Sequence, residues 1–83
     1  MVVRNVAELG AIIRARREQA AMTLTQAARM AGVSRRLLIE LERGKRRNVG
    51  TTAVFKILEL LGLAVDVTVR GLPGIGEGRG GRV

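Results

Sequence analysis

Residues 25–45, with the sequence TQAARMAGVSRRLLIELERGK, decide the fold of this chain. Thr25 is expected to cap a short helix, and Gly32 supplies the left-handed residue at which helices commonly end. Ser34 is expected to cap the next helix, which stops at Gly44. Because so few residues separate the two helices, they are expected to cross sharply rather than lie side by side.

The second helix of this pair is predicted to have an apolar arc and a charged arc. On a helical wheel the apolar arc holds three leucines, which are Leu37, Leu38 and Leu41. The other arc holds Arg35, Arg36, Ile39, Glu40 and Arg43. Arginines in the first turn of a helix oppose its dipole, at a cost of about 0.3–1 kcal/mol each when exposed. Because such a break of a local rule is typical of function, we predict that this arc contacts a ligand.

Two more amphipathic helices flank this pair. Asn5 and Glu8 have the spacing of a capping box ahead of a helix over residues 6–20. The last helix is expected to open at one of the threonines of residues 51–52 and to close at Gly62. The apolar residues that recur at helical spacing are Val6, Leu9, Ile13 and Ala20 in the first and Val54, Ile57, Leu58 and Leu61 in the last.

Residues 64–70 change to a period of two and are predicted to form a strand. Val65, Val67 and Val69 fall on one side of it, and polar residues fall on the other. A lone strand leaves its edge groups unpaired, so the same segment of a second copy is the simplest partner, paired antiparallel across a two-fold axis. This predicts a homodimer. The alternative is an edge segment that packs on its own helices.

Composition narrows the function. The chain has 83 residues, no cysteine, no histidine and a formal net charge of +8. These absences exclude disulfides, thiolate nucleophiles, imidazole bases and almost every transition-metal site, so we expect neither an enzyme nor a cofactor. The charge predicts a polyanionic partner, or else serves solubility alone. No apolar run approaches the roughly 18 residues of a membrane span, and we expect a cytoplasmic protein.

The domain organisation is predicted to be simple. Residues 1–70 form one domain with its dimerisation strand, because a chain of this length has room for a single modest core. Residues 71–83 are rich in glycine and have little to bury, so a flexible tail is expected.

The charged arc carries groups that suit the edges of base pairs. Arg35 or Arg36 can donate a bidentate pair of bonds to guanine O6 and N7. Glu40 can accept from cytosine N4, and Ile39 can meet a thymine methyl group. The alternative is that these charges are merely solvated and that Ile39 belongs to the core.

Other side chains are predicted to contact phosphates. Gln26 is placed near the start of its helix, where its amide and the backbone N–H groups suit an anion. A basic loop of Lys45, Arg46 and Arg47 follows the charged helix. If these contacts neutralise phosphates, affinity for DNA should fall steeply with salt.

Residues 25–28, 32–34 and 41–45 resemble the helix-turn-helix domains of the xenobiotic-response-element class, to which the phage repressors and Cro belong. Residues 55–63, followed by the valine segment, further resemble the HipB-like antitoxins of kinase-toxin operons. The resemblance implies a mainly α, lambda-repressor-like fold of four to five helices, with a short C-terminal β-strand that pairs across a dimer.

The resemblance also implies a function. It implies a dimer that binds a palindromic operator, represses its own operon and holds a HipA-like serine/threonine kinase toxin inactive. A phage-type or metabolic repressor without a toxin, or a protein-interaction module, is the alternative. Leu37 and Ile39 stand where the family usually has polar residues, so one of them can serve a protein contact instead of DNA.

The family's functional positions fall on particular residues of this chain. Its phosphate-contacting glutamine corresponds to Gln26, and its buried arginine–glutamate pair falls on Arg17 and Glu42. The corresponding base-contacting positions are Ser34, Arg35, Arg36 and Glu40.

Overall fold

Four helices form in the computed structural model, which describes residues 2–46, 48–69 and 71. They are α1 (Val6–Gln19), α2 (Leu24–Ala31), α3 (Arg35–Glu42) and α4 (Thr51–Leu60). The prediction of a mainly helical fold is confirmed, and no strand pairing occurs within the described residues. Among the same residues, no helix has both the length and the apolar character to span a membrane.

Helix α1 begins where the capping pattern predicts. The side chain of Asn5 accepts a bond of 2.9 Å from the backbone N–H of Glu8. The Glu8 carboxylate accepts from the backbone N–H of Arg4, at 2.8 Å, instead of from Asn5 itself. Ala20, the predicted last residue, is the C-cap.

The start of α2 differs from the prediction, because Thr23 and not Thr25 is the N-cap. Thr23 Oγ1 accepts from the N–H of Gln26 at 3.0 Å, and Gln26 Oε1 accepts from the N–H of Thr23 at 2.9 Å. This reciprocal capping box satisfies two backbone donors that a cap at Thr25 would leave open. The helix reaches Leu24 as a result, and Ala21 turns the chain toward it with a φ of 56°.

Helix α3 has the predicted ends. Ser34 Oγ accepts from the backbone N–H of Leu37 at 3.0 Å, and Arg43 is the C-cap. Gly44 then takes a left-handed conformation, with a φ of 68°. A larger residue would be strained there by this φ, and its Cβ atom would crowd the Cβ of Ala7 at 3.0 Å.

All four helices contribute to the core, and α3 contributes the leucines of its apolar arc. Its largest fully buried side chains are Ile13, Leu38, Leu41 and Ile57. Small residues let the helices approach closely: Ala27, Ala28 and Ala31 of α2 are buried, and Gly10 of α1 lies against the main chain of α3 at Leu41.

The alternative that Ile39 belongs to the core does not hold, because it is only partly buried and lies outside this cluster.

An ion pair between Arg17 and Glu42 ties α1 to the end of α3. Arg17 donates from Nε and from a terminal nitrogen to the two carboxylate oxygens of Glu42, at 2.7 and 2.9 Å. Its other terminal nitrogen donates to the carbonyl oxygen of Met22 at 2.8 Å. The pairing predicted for these residues is confirmed, and both side chains are largely buried.

The segment that follows α4 leaves its valines in solvent. Val65, Val67 and Val69 are 55%, 89% and 78% exposed. The alternative in which this segment packs on its own helices therefore does not hold for the single chain. Pairing with a second copy stays a prediction, as does the strand itself, whose last residue, Arg70, lies outside the described residues. The predicted flexible tail lies outside them too, except for Gly71.

Candidate nucleic-acid interface

The charged arc of α3 faces outward. Leu38 and Leu41 are buried on the opposite side, so the side chains of the charged arc project away from the core. They form a surface depression together with Lys45, which follows the helix. The depression is lined by Arg35, Arg36, Ile39, Glu40, Arg43 and Lys45. The structure thus brings together six of the residues that the sequence predicts to contact DNA.

Arg35 is oriented by a side chain of α2. Its Nε donates to Thr25 Oγ1 at 3.1 Å. This bond uses one of the five guanidinium donors, and the terminal nitrogens have no partner within the described residues. The fork that suits a guanine edge is therefore available at the first residue of α3.

Glu40 is bonded by two arginines. Its Oε2 accepts from Arg36 Nε at 3.2 Å, and its Oε1 accepts from a terminal nitrogen of Arg46 at 2.8 Å. The hydrogen bond from Arg36, and then that from Arg46, holds the pKa of the Glu40 carboxyl below its ordinary value. Both of its oxygens are thus engaged in the chain itself, whereas the sequence predicts that Glu40 accepts from cytosine.

The other predicted contact residues are placed separately. Gln26 and Ser34 are exposed, but they do not line the depression. The carbonyl oxygen of Gln26 is used in the capping box, which leaves its NH₂ group to donate to a phosphate. Arg46 is partly buried beside Glu40, and Arg47 lies outside the described residues.

Thr25 belongs to this surface, although its position in the sequence predicts a helix cap. Its hydroxyl orients Arg35 instead of capping α2. The pattern Thr23-x-x-Gln26 carried the signal, because it has the spacing of a capping box and frees Thr25 for a different bond.

Comparison with known protein families gives a match. The sequence profile of the helix-turn-helix family matches residues 13–67, about two-thirds of the chain, from within α1 to beyond α4. No curated protein matches the chain. The matched region includes both helices of the decisive stretch and the whole depression. This chain belongs to the helix-turn-helix family of the phage-repressor and Cro type, a family of DNA-binding domains.

Proposed function

We propose that this protein is a sequence-specific transcriptional repressor that binds duplex DNA as a homodimer in the cytoplasm and has no enzymatic activity. The observation that carries the proposal is the depression on α3, where cationic side chains surround an exposed helix face. An α-helix fits the major groove, and the family places its second helix there.

The depression offers groups for two kinds of contact. The guanidinium groups of Arg35 and Arg36 suit guanine edges, and the side chain of Ile39 suits a thymine methyl group. Arg43 and Lys45 lie at the far end of the same surface, where they suit phosphates and would position the helix without selecting a sequence.

Replacing Arg36 with Ala should weaken binding to a preferred duplex by about 1–3 kcal/mol and relax the choice at one base pair. The probe is a duplex that the wild-type protein selects from a random-sequence library, and the second probe is a random duplex of equal length. Fluorescence anisotropy at fixed salt measures both affinities, because affinity for DNA depends on salt.

Arg14→Ala is the matched control for this test. Arg14 is an exposed arginine of α1 that pairs with Glu18 four residues later, as Arg36 pairs with Glu40. Both variants lose one positive charge, but Arg14 does not line the depression. Equal losses for the two variants, or equal losses on the two duplexes, would contradict the assignment of Arg36.

We propose that the valine segment forms the dimer. An antiparallel pair of these segments across a two-fold axis would cover three valines that the single chain leaves exposed. It would also satisfy backbone groups at the strand edges. Two α3 helices related by such an axis can read half-sites one duplex turn apart.

Replacing Val67 with Asp should convert the dimer into monomers, because it places a charge in the centre of the shared apolar face. Thr68→Asp adds the same charge at the next residue, on the opposite side of a strand, and should leave the dimer intact. Sedimentation velocity gives the mass of each variant. An unchanged dimer mass for Val67→Asp would place the interface elsewhere.

The finer proposal is an antitoxin that also holds a HipA-like kinase toxin inactive. It is supported by the resemblance to HipB-like proteins and by the exposed apolar side chains of Met30 and Phe55, which a protein partner can cover. Co-purification with the product of a neighbouring kinase-like gene tests it. A repressor without such a neighbour would be of the phage or metabolic kind.

A further inference from the structure

Glu40 is the only carboxylate among the described residues that line the depression. It lies among the cationic side chains Arg35, Arg36, Arg43 and Lys45. A negative charge on a surface that meets phosphates weakens the binding of every DNA sequence, because like charges repel. Glu40 is therefore unfavourable for affinity alone and needs another explanation.

The two arginines that bond to Glu40 use different nitrogen atoms. Arg36 is held through Nε, and its terminal nitrogens have no partner within the described residues. Arg46 donates to Glu40 from a terminal nitrogen. Its buried Nε has no hydrogen-bond partner in the part of the chain that the structure describes. The carboxylate thus leaves the fork of Arg36 open and neutralises Arg46.

We propose that Glu40 is a specificity-determining residue, which positions Arg36 for a guanine edge and restrains both arginines from binding phosphates. This inference rests on the proposed binding of duplex DNA.

A guanine edge and a phosphate make different demands on this arrangement. The guanine edge presents two neutral acceptors, which the terminal nitrogens of Arg36 can meet while Nε stays on Glu40. A phosphate must approach the Glu40 carboxylate or draw an arginine away from it. Specificity is a difference between two affinities, and a charge that penalises the wrong partner raises it.

The test compares Glu40→Gln with Glu18→Gln. Both variants gain one unit of net charge, and each loses the carboxylate of an exposed pair with an arginine four residues earlier. Glu18 lies on α1 and does not line the depression. The probes are the duplex selected by the wild-type protein and a random duplex of equal length, each titrated at several salt concentrations. Circular dichroism and thermal unfolding check that both variants fold like the wild type.

Glu40→Gln should bind the random duplex about tenfold more tightly than the wild type and so lower the selected-to-random ratio. Its dependence of log K on log salt should steepen by about 0.9 for each additional phosphate contact. Glu18→Gln should change neither measurement appreciably. A merely structural role for Glu40 would alter stability without changing the salt dependence.

Three results would overturn the inference. Equal effects of the two variants would mean that only net charge matters. A random duplex that Glu40→Gln binds no more tightly than the wild type does would mean that Glu40 does not restrain the arginines from phosphates. A wild-type protein that binds neither duplex would remove the proposed function itself, which separates that failure from the other two.

Discussion

Replacing Arg17 with Met should lower the free energy of unfolding by about 3–5 kcal/mol. The variant would leave the Glu42 carboxylate buried without its counter-ion, because the two side chains are only 11% and 5% exposed. The hydrogen bonds that Arg17 donates to Glu42 raise the pKa of Arg17, so its guanidinium group keeps its positive charge. Since small domains are stable by only about 5–15 kcal/mol, this loss can unfold much of the protein.

Arg14→Met is the matched control, because Arg14 belongs to the same helix and pairs with Glu18 at 60% exposure. Exposed pairs contribute about 0–1 kcal/mol, so urea unfolding at one protein concentration should hardly change. The double variant Arg17→Met with Glu42→Met removes both charges and should recover most of the stability. If the single variant is as stable as the double variant, the lone Glu42 charge is not costly.

The ends of the helices could largely be predicted from the sequence, because caps are local. Asn5 and Ser34 accept the bonds that their positions predict, and Gly44 has the left-handed φ expected at the end of α3. The predicted start of α2 was wrong, because Thr23 and Thr25 are both candidates for the N-cap. Thr23 has Gln26 as its reciprocal partner, and this decides between them.

The outer face of α3 could be predicted from periodicity, whereas the bonds within it could not. Burial of Leu38 and Leu41 fixes which residues face outward. The bonds of Arg35 to Thr25 and of Arg46 to Glu40 join residues of different segments. They depend on rotamers and on the spacing of those segments, neither of which a helical wheel contains.

Replacing Gly10 with Ala should lower the free energy of unfolding by about 3 kcal/mol or more, near or above the upper end for overpacked sites. Helix propensity alone favours the opposite result, since Ala exceeds Gly by about 0.8–1.0 kcal/mol within a helix. Packing outweighs it here, because a Cβ atom on Gly10 would overlap the carbonyl oxygen of Leu41 and lie 2.9 Å from the carbonyl carbon. Main-chain atoms cannot swing aside as a flexible side chain can, so α1 and α3 would have to separate.

Ala15→Gly calibrates the propensity term, because Ala15 is exposed on the same helix and should lose only about 1 kcal/mol. Urea unfolding of both variants at one protein concentration compares the two effects. A more stable Gly10→Ala protein would mean that α1 and α3 do not approach so closely. The contact also bears on DNA, since Gly10 meets α3 one residue after Glu40. Folded Gly10→Ala molecules should therefore bind the selected duplex more weakly, because a displaced α3 no longer holds its charged arc in register with the groove.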